Sequence, residues 1–483
     1  MVAFLQELWP FVAGTLTLVL SVIASANVVL HKRDVRAAAG WAAVIWLVPF
    51  FGAVLYLLLG VNRIRRRAIE LRRDRLRLST TTEELRIERL ELEEMLPPGC
   101  DHLAGLGQLV ARVTGVPLTR SNRVEVLENG DQAFPAMLDA IAGARRSVAL
   151  GTYIFDHDPA GSRFVDALAA AVERGVEVRV LIDSVGARYS WPSIVKVLRQ
   201  RGIRVDRFLH SAVPWRMPYM NLRSHRKILV VDGETAFTGG MNIRIGHVLS
   251  AQPRSPVQDV HFRVCGPAVA QMMTVFAEDW VFTTREILDG DRWFPPLEAA
   301  GAVAARSIPD GPDEDLDKLR WTLLGALARA HESVRIVTPY FLPDETLMTS
   351  LNLAAMRGVR VEIVLPQVNN LPYVKWAAMA HLGQTLGREC RVFLSPPPFD
   401  HSKLMVVDGV WSLIGSANWD PRSLRLNFEF NLECYDAALA GELNALIDRK
   451  RNAGLEITRE EIRSRPLLVQ LRDNVARLAT PYL

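Results

Sequence analysis

The sequence predicts an α/β protein of two homologous halves, each with a mixed or parallel sheet covered by helices on both faces, after an N-terminal pair of transmembrane helices. Two long apolar segments open the chain and predict the helix pair. Stretches rich in Ala and Leu then alternate with β-branched runs, which is typical of helices packed on a sheet. The run RGVEVRVL at 174–181 recurs as RGVRVEIV at 357–364, an offset of 183 residues that indicates a duplication.

Composition excludes several classes of protein before any motif is considered. The 483 residues are 49% hydrophobic and 23% charged, which is enough for a large core and excludes a disordered chain or a single small binding module. The mean hydropathy of +0.11 suggests that part of the chain sits in lipid. The four cysteines lie far apart, so the sequence predicts neither a disulfide framework nor a zinc site.

The first two apolar segments are each long enough to cross a membrane. Residues 8–30 and 37–61 carry no formal charge, and each exceeds the roughly 20 residues that span a hydrocarbon core of about 30 Å. The small residues Ala24-Ser25-Ala26 also resemble a signal-peptide cleavage site. Against cleavage, no Lys or Arg precedes the first segment, and Glu7 does.

The distribution of basic residues predicts the orientation of this helix pair. Eight arginines lie between residues 63 and 77, so the positive-inside rule places both ends of the pair, and the rest of the chain, on the cytoplasmic side of a membrane. Lys32, Arg33 and Arg36 lie in the connection, which leaves a shallow hairpin as an alternative. The arginine run suits contact with anionic headgroups, at about 1 kcal/mol per charge, although a solvated helix face is the simpler alternative.

The predicted domain organisation has four parts. Residues 1–62 form the two membrane helices, and residues 63–120 form a connector that is first basic and then acidic. The two homologous halves occupy residues 121–305 and 306–483. Pseudo-twofold packing of these halves would bring equivalent motifs together, so we expect a site at their junction.

One motif occurs once in each half with the same spacing. The first copy is His225-Arg226-Lys227 followed by Asp232, and the second is His401-Ser402-Lys403 followed by Asp408. Asn242 and Asn418 each lie 17 residues after the histidine of their half. Because both halves of a duplicated chain carry the motif with identical spacing, the match is specific.

The residue types in the motif indicate chemistry on an anion. In an extended strand the His and Lys of each copy share one face, and a buried Lys is costly without an anionic partner. Asp232 and Asp408 would lie on the opposite face of the strand from the His and Lys of their motif, and each precedes a Gly. Both features favour a role in stabilising a turn over contact with substrate.

Paired His, Lys and Asn residues describe a metal-free phosphoryl-transfer site. One imidazole would attack phosphorus, the other would protonate the leaving oxygen, and Lys and Asn would hold phosphate oxygens. The alternative, histidines acting as metal ligands, lacks a matching set of Asp, Glu or Cys, so no metal or other cofactor is expected. Asp259 and Glu429 are the candidate carboxylates that fix the imidazole tautomers.

The duplicated HxKx4D motif with its downstream Gly-x-x-Asn resembles the phospholipase D superfamily. The apolar segments, their connection at 30–36, the run at 59–64, and the stretches 152–155 and 338–344 resemble the bacterial cardiolipin synthases more narrowly, and the resemblance covers essentially the whole chain. It implies two phospholipase D-like α/β/α sandwich domains. It also implies condensation of two phosphatidylglycerol molecules into cardiolipin with release of glycerol, through a phosphohistidine.

The resemblance also implies roles for individual residues. The catalytic set would be the paired motif residues: His225, Lys227, Asp232, His401, Lys403 and Asp408. His225 would be the nucleophile and His401 the acid and base, with Asn242 and Asn418 supporting. Only the second half has a hydroxyl beside its Asn, at Ser416 where the first half has Gly240, so we expect non-equivalent phosphate clamps.

Partners and alternatives follow from the same features. Phospholipid substrate and anionic membrane are the expected partners, and the loop 212–223 mixes aromatic, Met and Arg residues that suit either a membrane interface or ordinary packing. A phospholipase D that transfers the phosphatidyl group to water explains the same motifs. A nucleic-acid phosphodiesterase would not need membrane segments, and a net charge of +4 is weak for a polyanion partner. Two intact motifs argue against an inactive scaffold.

Overall fold

The computed structural model describes residues 2–32, 35–60, 86–209, 222–312, 315–385, 389–478 and 480. The arginine run at 63–77, most of the connector, and the loop 212–223 up to residue 221 lie outside the described residues. The chain divides into two compact units. The smaller is Met1–Glu70 with Ser211–Asn221, and the larger is Leu71–His210 with Leu222–Leu483.

The N-terminal unit contains one helix that is long and apolar enough to cross a membrane. Helix α1 spans Val2–His31, and the stretch Trp9–His31 meets that test. The second apolar segment is divided into α2 (Val35–Leu47), α3 (Phe51–Leu55) and a π-helical turn. The break comes at Pro49, which lacks an N–H and disfavours helix in the residue before it. The structure therefore supports one spanning helix, and the predicted second one stays a prediction.

The described part of the larger unit forms two sheets flanked by helices. Its strands up to the middle of the chain are β1 (Arg86–Ile87), β2 (Leu118–Glu128), β3 (Ser147–Thr152), β4 (Glu177–Asp183), β5 (Arg204–Phe208), β6 (Arg223–Ser224), β7 (Ile228–Val231), β8 (Thr235–Gly239), β9 (Val257–Gln258) and β10 (Val260–Cys265). Those that follow are β11 (Val303–Asp310), β12 (Ser333–Val337), β13 (Arg360–Pro366), β14 (Arg391–Ser395), β15 (Phe399–Asp400), β16 (Leu404–Val407), β17 (Trp411–Gly415), β18 (Asn427–Tyr435) and β19 (Leu455–Glu456).

Helices flank the strands in both halves. In chain order they are α4 (Arg89–Met95), α5 (Ala104–Thr114), α6 (Asn129–Gly143), α7 (Pro159–Glu173), α8 (Ile194–Gln200), α9 (Ala268–Thr284), α10 (Lys318–Arg329), α11 (Glu345–Met356), α12 (Pro372–Thr385), α13 (Pro421–Arg425), α14 (Ala437–Ala453), α15 (Arg459–Arg463) and α16 (Leu467–Leu478).

The two halves have the same strand order, which confirms the repeat. The first sheet runs β5-β4-β3-β7-β8-β10-β2, with β3, β4 and β5 parallel and the other pairs antiparallel. The second runs β14-β13-β12-β16-β17-β18-β11 with the same directions. Antiparallel pairing of β11 with β2 joins the two sheets edge to edge.

The repeated sequence signals fold in the same way in each half. Asp158 and Asp344 cap α7 and α11 by accepting backbone N–H bonds. Gly175 and Gly358 follow these helices with φ of 86° and 91°, a left-handed conformation that Gly adopts without a Cβ clash, and the parallel strands β4 and β13 come next. Each half has its own buried apolar cluster under these helices, centred on residues such as Phe164 and Val180, or Leu351 and Ile363.

Helix α16 near the C-terminus leaves an apolar stripe uncovered. Its exposed side chains are Leu467, Leu468, Leu471, Val475 and Leu478, each more than half exposed. The opposite side of the helix carries Asp473, which is buried and paired with Arg465 and Arg472. An exposed stripe of this size suits an apolar or interfacial partner.

Candidate active site

Two short parallel pairings place the motif of each half against the other half. Strand β6 leads into His225 and pairs with Asn427–Phe428 of β18, and the backbone N–H of His225 donates to the Phe428 carbonyl at 2.8 Å. Strand β15 leads into His401 and pairs with β9, and the N–H of His401 donates to the Gln258 carbonyl at 2.8 Å. The two pairings are equivalent, so they place the repeated motifs about a pseudo-twofold axis, as expected from the duplication.

Each motif histidine binds a carboxylate from the opposite half. Nδ1 of His225 lies 2.9 Å from Oε2 of Glu429, and Nδ1 of His401 lies 2.8 Å from Oδ2 of Asp259. All four side chains are buried. A carboxylate on Nδ1 holds that nitrogen protonated and leaves the lone pair on Nε2. Asp259 and Glu429 thus lie where groups that fix the imidazole tautomers were predicted. The spacing of the motifs in the sequence did not predict that each carboxylate binds the histidine of the other half.

The two motif lysines lie beside these pairs and are almost fully buried. Each Nζ donates to the carbonyl oxygen of its own histidine, at 2.7 Å for Lys227 to His225, and in the same way for Lys403 to His401. Burial lowers the pKa of Lys227 to about 7 and that of Lys403 to about 8, although Glu429 and Asp259 oppose the shift. A bound anion would restore the charged forms, so the pair is suited to hold a phosphate.

Burial disfavours the charged form of both imidazoles. Burial is the main cause that lowers the pKa of His225, and it lowers the pKa of His401 well below the usual value, with Lys403 and Lys227 acting in the same direction. The pKa of Glu429 is lowered because His225, Lys227 and Ser416 together outweigh its burial. Burial instead raises the pKa of Asp259, although Lys403 opposes the shift. The carboxylate on His225 is therefore the more strongly ionised of the two.

The motif aspartates bind backbone rather than the site. Asp232 has φ of 53°, and its carboxylate accepts the N–H groups of Arg145, Arg146 and Ser147 at 2.7–2.9 Å. Asp408 has φ of 51° and accepts the N–H groups that open β12, together with Nε2 of His102 at 2.8 Å. This geometry agrees with the turn role that their parity predicts, and it gives neither carboxylate a place beside the imidazoles.

The hydroxyl of Ser416 has a different partner from the one expected. It donates to Oε2 of Glu429 and accepts the backbone N–H of Phe430 at 3.0 Å, and Ser416 is fully buried. Ser416 therefore supports the carboxylate of His225, and its contact with a phosphate stays a prediction. A Cβ at the equivalent Gly240 would lie 2.4 Å from Oδ1 of Asp259, so the first half has no room for this hydroxyl.

The asparagines that follow the motifs are both buried but differ in their contacts. Oδ1 of Asn242 accepts the N–H of Ile154 at 3.2 Å. Oδ1 of Asn418 has no hydrogen-bond partner among the described residues. Asn418 thus has a buried acceptor without a donor among the described residues, whereas the acceptor of Asn242 is engaged.

Several residues that sequence reasoning did not single out complete the site. Tyr153 lies with its ring 5.2 Å from the ring of His225 and 5.7 Å from Nζ of Lys227, and Tyr340 lies 6.4 Å from the ring of His401. Asn427 donates to Oε1 of Glu429 at 3.0 Å. The repeated Thr-x-x-Phe stretches at 152–155 and 338–341 were the signal for the tyrosines, because they lie at equivalent strand ends in the two halves.

These contacts define what the site can do chemically. The two imidazoles belong to opposite halves, and their Nδ1 atoms are held by carboxylates that also act on two buried lysines. One imidazole can attack a phosphorus atom while the other moves a proton, and the lysines can compensate the charge on the phosphate oxygens.

Comparison with known proteins agrees with this arrangement. The family described as "Cardiolipin synthase, PLD-like domain" matches residues 137–280 and 323–451, and the family described as "Phospholipase_D-nuclease N-terminal" matches residues 19–60. The chain is 30% identical over 472 residues to a cardiolipin synthase of Oceanobacillus iheyensis, covering 97% of this chain and 98% of the relative. It is 33% identical over 472 residues to cardiolipin synthase A of Pseudomonas aeruginosa, covering 96% and 94%.

A solved structure supports the fold. The phosphatidylserine synthase of Haemophilus influenzae superimposes with a TM-score of 0.62 at 16% identity, covering 78% of this chain and all of that one. At this level of identity the likeness concerns the fold alone, and it agrees with the two phospholipase D-like halves. Together with the family match over both halves, these findings show that the chain belongs to the cardiolipin synthase family of phospholipase D-like proteins.

Proposed function

We propose that this protein is a cardiolipin synthase that transfers the phosphatidyl group of one phosphatidylglycerol to a second one and releases glycerol. The observation that carries the proposal is the pair of crossed histidine–carboxylate contacts beside two buried lysines, in a chain whose relatives over nearly full length are named cardiolipin synthases. Such a site needs a substrate with one phosphodiester and a hydroxyl acceptor, and phosphatidylglycerol provides both.

In the first step Nε2 of His225 attacks the phosphorus of the donor lipid. A P–N bond forms, the bond from phosphorus to the glycerol oxygen breaks, and His401 gives its proton to that oxygen, so free glycerol leaves. The phosphate charge of the donor raises the pKa of His401 and of both lysines, which burial lowers. Substrate binding thereby prepares the acid that the step requires.

In the second step the free hydroxyl of an acceptor phosphatidylglycerol attacks the phosphohistidine. His401 takes the hydroxyl proton, a new P–O bond forms, and the P–N bond to His225 breaks. The product carries two phosphates on one glycerol, and both histidines return to their starting state. The two steps together break one phosphodiester P–O bond and form another of the same type, so the reaction is reversible.

The choice of His225 as nucleophile rests on the environment of its carboxylate. Glu429 receives hydrogen bonds from Ser416 and Asn427 in addition to His225, and its pKa is lowered. An ionised carboxylate on Nδ1 raises the electron density at Nε2 and stabilises the cation that forms upon attack. Asp259 has no comparable pair of side-chain donors among the described residues, and its pKa is raised.

The proposed location is the cytoplasmic face of a bacterial membrane. Helix α1 is long and apolar enough to anchor the chain, and the arginines at 63–77 favour the cytoplasmic side. The apolar stripe of α16 would rest in the headgroup region, where exposed Leu side chains gain free energy by leaving water. Substrate lipids would then reach the site from the membrane surface.

The experiment that tests the function is product analysis by mass spectrometry. Purified full-length protein is incubated with phosphatidylglycerol in mixed micelles that contain a chelator. Cardiolipin and glycerol in equal amounts are the expected products. Phosphatidic acid without cardiolipin would show that water is the acceptor, and a requirement for added metal would overturn the metal-free mechanism.

A further inference from the structure

Two loops at equivalent places in the two halves carry exposed apolar side chains. The first aromatic loop, residues 184–193, joins β4 to α8, and the second, residues 367–373, joins β13 to α12 and includes the first turn of that helix. Trp191 in the first loop is 96% exposed, and Tyr189 is more than half exposed. Tyr373 in the second loop is about half exposed. Apolar side chains that collect on two related loops indicate contact with a partner.

The first aromatic loop rests on the strand end that carries Tyr153. A Cβ at Gly186 would overlap the carbonyl oxygen of Tyr153, so the backbones of the loop and the strand end are in direct contact. The hydroxyl of Ser190 accepts the backbone N–H of His157 at 2.8 Å. Because the ring of Tyr153 lies 5.2 Å from that of His225, the exposed side chains of this loop extend from a fixed support beside the site.

The second aromatic loop is held at the equivalent strand end of the other half. The hydroxyl of Tyr340 donates to Oδ1 of Asn370 at 2.7 Å, and Nδ2 of Asn369 donates to the Pro339 carbonyl at 2.9 Å. The ring of Tyr340 lies 6.4 Å from that of His401. The two loops therefore flank the site, one from each half.

The charge around both loops suits an anionic surface. Residues 184–205 and residues 367–388 contain no Asp or Glu. Arg188 and Lys196 in the first stretch are exposed, and the second stretch contributes Lys375. Trp and Tyr side chains next to Lys and Arg, in a stretch without carboxylates, are typical of segments that enter the headgroup region of a membrane with anionic lipid.

The second aromatic loop is also continuous with the apolar stripe of α16. Leu371 of the loop and Ala476 of α16 pack against the same small cluster, which Leu342 forms with residues of α12. Val475 of the stripe precedes Ala476 directly. The surface for which lipid contact is proposed above thus extends to the loop beside His401.

We propose that the two aromatic loops dock on an anionic bilayer, with Trp191, Tyr189 and Tyr373 at the level of the headgroups. This inference rests on the proposed function, in which both substrates are membrane lipids. Because each loop is fixed to a tyrosine that contacts a motif histidine, docking places the site against the membrane surface. A lipid then reaches the histidines over a short distance.

Fluorescence quenching tests the contact directly. Full-length protein and Trp191→Phe are reconstituted in vesicles of phosphatidylglycerol and phosphatidylcholine with acyl chains brominated near the headgroup, and the difference between their spectra isolates the emission of Trp191. We expect bromine to quench at least half of this emission and iodide in the water to quench little of it. Quenching by iodide alone would show that Trp191 stays in water, and quenching by neither would show that protein covers it. Either result would overturn the inference.

Two comparisons make the quenching result specific. Trp321→Phe is the matched control, because Trp321 is a half-exposed Trp on α10, and its emission should be quenched by iodide and not by bromine. Equal bromine quenching of Trp321 would remove the role of the loops. Vesicles of phosphatidylcholine alone should give weaker quenching of Trp191, and equal quenching would contradict the preference for an anionic surface.

Activity provides an independent test. Trp191→Ser combined with Tyr373→Ser should lower cardiolipin synthesis on phosphatidylglycerol vesicles at least fivefold, and leave turnover of short-chain phosphatidylglycerol below its critical micelle concentration within twofold of wild type. Trp321→Ser is the control for both assays. Parallel loss in the two assays, or no loss on vesicles, would overturn the inference. Failure of the proposed function is a different result, because wild-type protein would then make no cardiolipin while the quenching of Trp191 would be unaffected.

Discussion

Each motif histidine depends on a carboxylate that lies more than a hundred residues away in the chain. Glu429 is 204 residues from His225, and Asp259 is 142 residues from His401. The carboxylate keeps the Nδ1–H tautomer and stabilises the imidazolium that forms during proton transfer or attack. We therefore expect the two imidazoles to act only when both halves are docked.

Replacing His401 should affect both steps of transfer, because it is the acid of the first step and the base of the second. A donor with a good leaving group, such as a phosphatidyl p-nitrophenyl ester, needs no acid, so in His401→Asn a phosphatidyl adduct on His225 should accumulate from that donor. Intact-mass measurement after brief incubation with this ester checks the expectation. His225→Ala is the control, with no adduct and no product. An adduct on His225→Ala would reverse the roles of the two histidines.

Neutralising the carboxylate of the nucleophile should slow the reaction without unfolding the protein. Glu429→Gln keeps the shape but removes the charge that orients His225, and we expect kcat to fall on the order of 10²-fold or more. Steady-state kinetics and a circular dichroism melt measure the two effects. Glu456→Gln is the control, because Glu456 pairs with Arg391 on the surface. Wild-type kcat in Glu429→Gln would contradict the role.

At the scale of elements, the two β-hairpins that follow the motifs are built on their aspartates. Asp232 and Asp408 take left-handed backbone conformations and each accept three backbone N–H groups at the start of a neighbouring strand. An ionised carboxylate with three donors ties the hairpin to the parallel part of its sheet. Both halves use the Asp in the same way. This shared structural role explains why the motif includes an Asp although its side chain does not face the imidazoles.

Asp232→Ala should therefore affect stability more than chemistry. Three N–H groups lose a charged acceptor, so the free energy of unfolding should fall by about 2–4 kcal/mol. Activity per folded molecule should stay within a few-fold of wild type. Denaturant unfolding and an active-site titration measure the two quantities. Unchanged stability with lost activity would place the carboxylate in the chemistry instead.

The exposed stripe of α16 belongs to the same scale. If it rests on lipid, Leu471→Gln with Val475→Gln should lower activity several-fold on vesicles of long-chain phosphatidylglycerol, because two apolar contacts with the interface are lost. Activity on the same lipid in excess detergent should change little. Leu455→Gln, at an exposed Leu on β19, is the control. Equal loss in both assays would rule out a membrane role for α16.

At the scale of the molecule, the docked halves bring two buried cations together. Lys227 and Lys403 come from different halves, and each opposes the charge of the other. Glu429 and Asp259 bind the histidines, so they do not fully compensate the charge of the lysines. An anion bound by the two lysines should therefore stabilise the docked state.

Sulfate should consequently stabilise the whole protein in a pH-dependent way. Both lysines are protonated at pH 6 and lose their protons as pH rises through about 7 and about 8. Sulfate stays a dianion across this range, so its effect follows the lysines. We expect a rise in Tm of roughly 2–4 °C at pH 6, equivalent to about 1 kcal/mol or more, and little rise at pH 9. An equal rise in Lys227→Met would show that sulfate binds elsewhere.

The repeat, the elements and the chemical type of the site were predictable from the sequence. Period and spacing are local properties: the Arg-Gly-Val signal precedes β4 and β13, and the motif spacing places a His and a Lys together in each half. The turn role of Asp232 and Asp408 followed from strand parity. The interruption of the second apolar segment near Pro49 was less evident, because the whole segment is long enough to cross a membrane as one helix.

Only the tertiary structure decided which residues meet. The pairing of Glu429 with His225 and of Asp259 with His401 joins the two halves. Short strands of two residues, β6 and β9, set these contacts, and no local pattern encodes their partners. The sequence by itself determined two copies of one α/β unit with one chemical motif each. Docking of the copies determined the site, because each motif imidazole meets its carboxylate only across the junction.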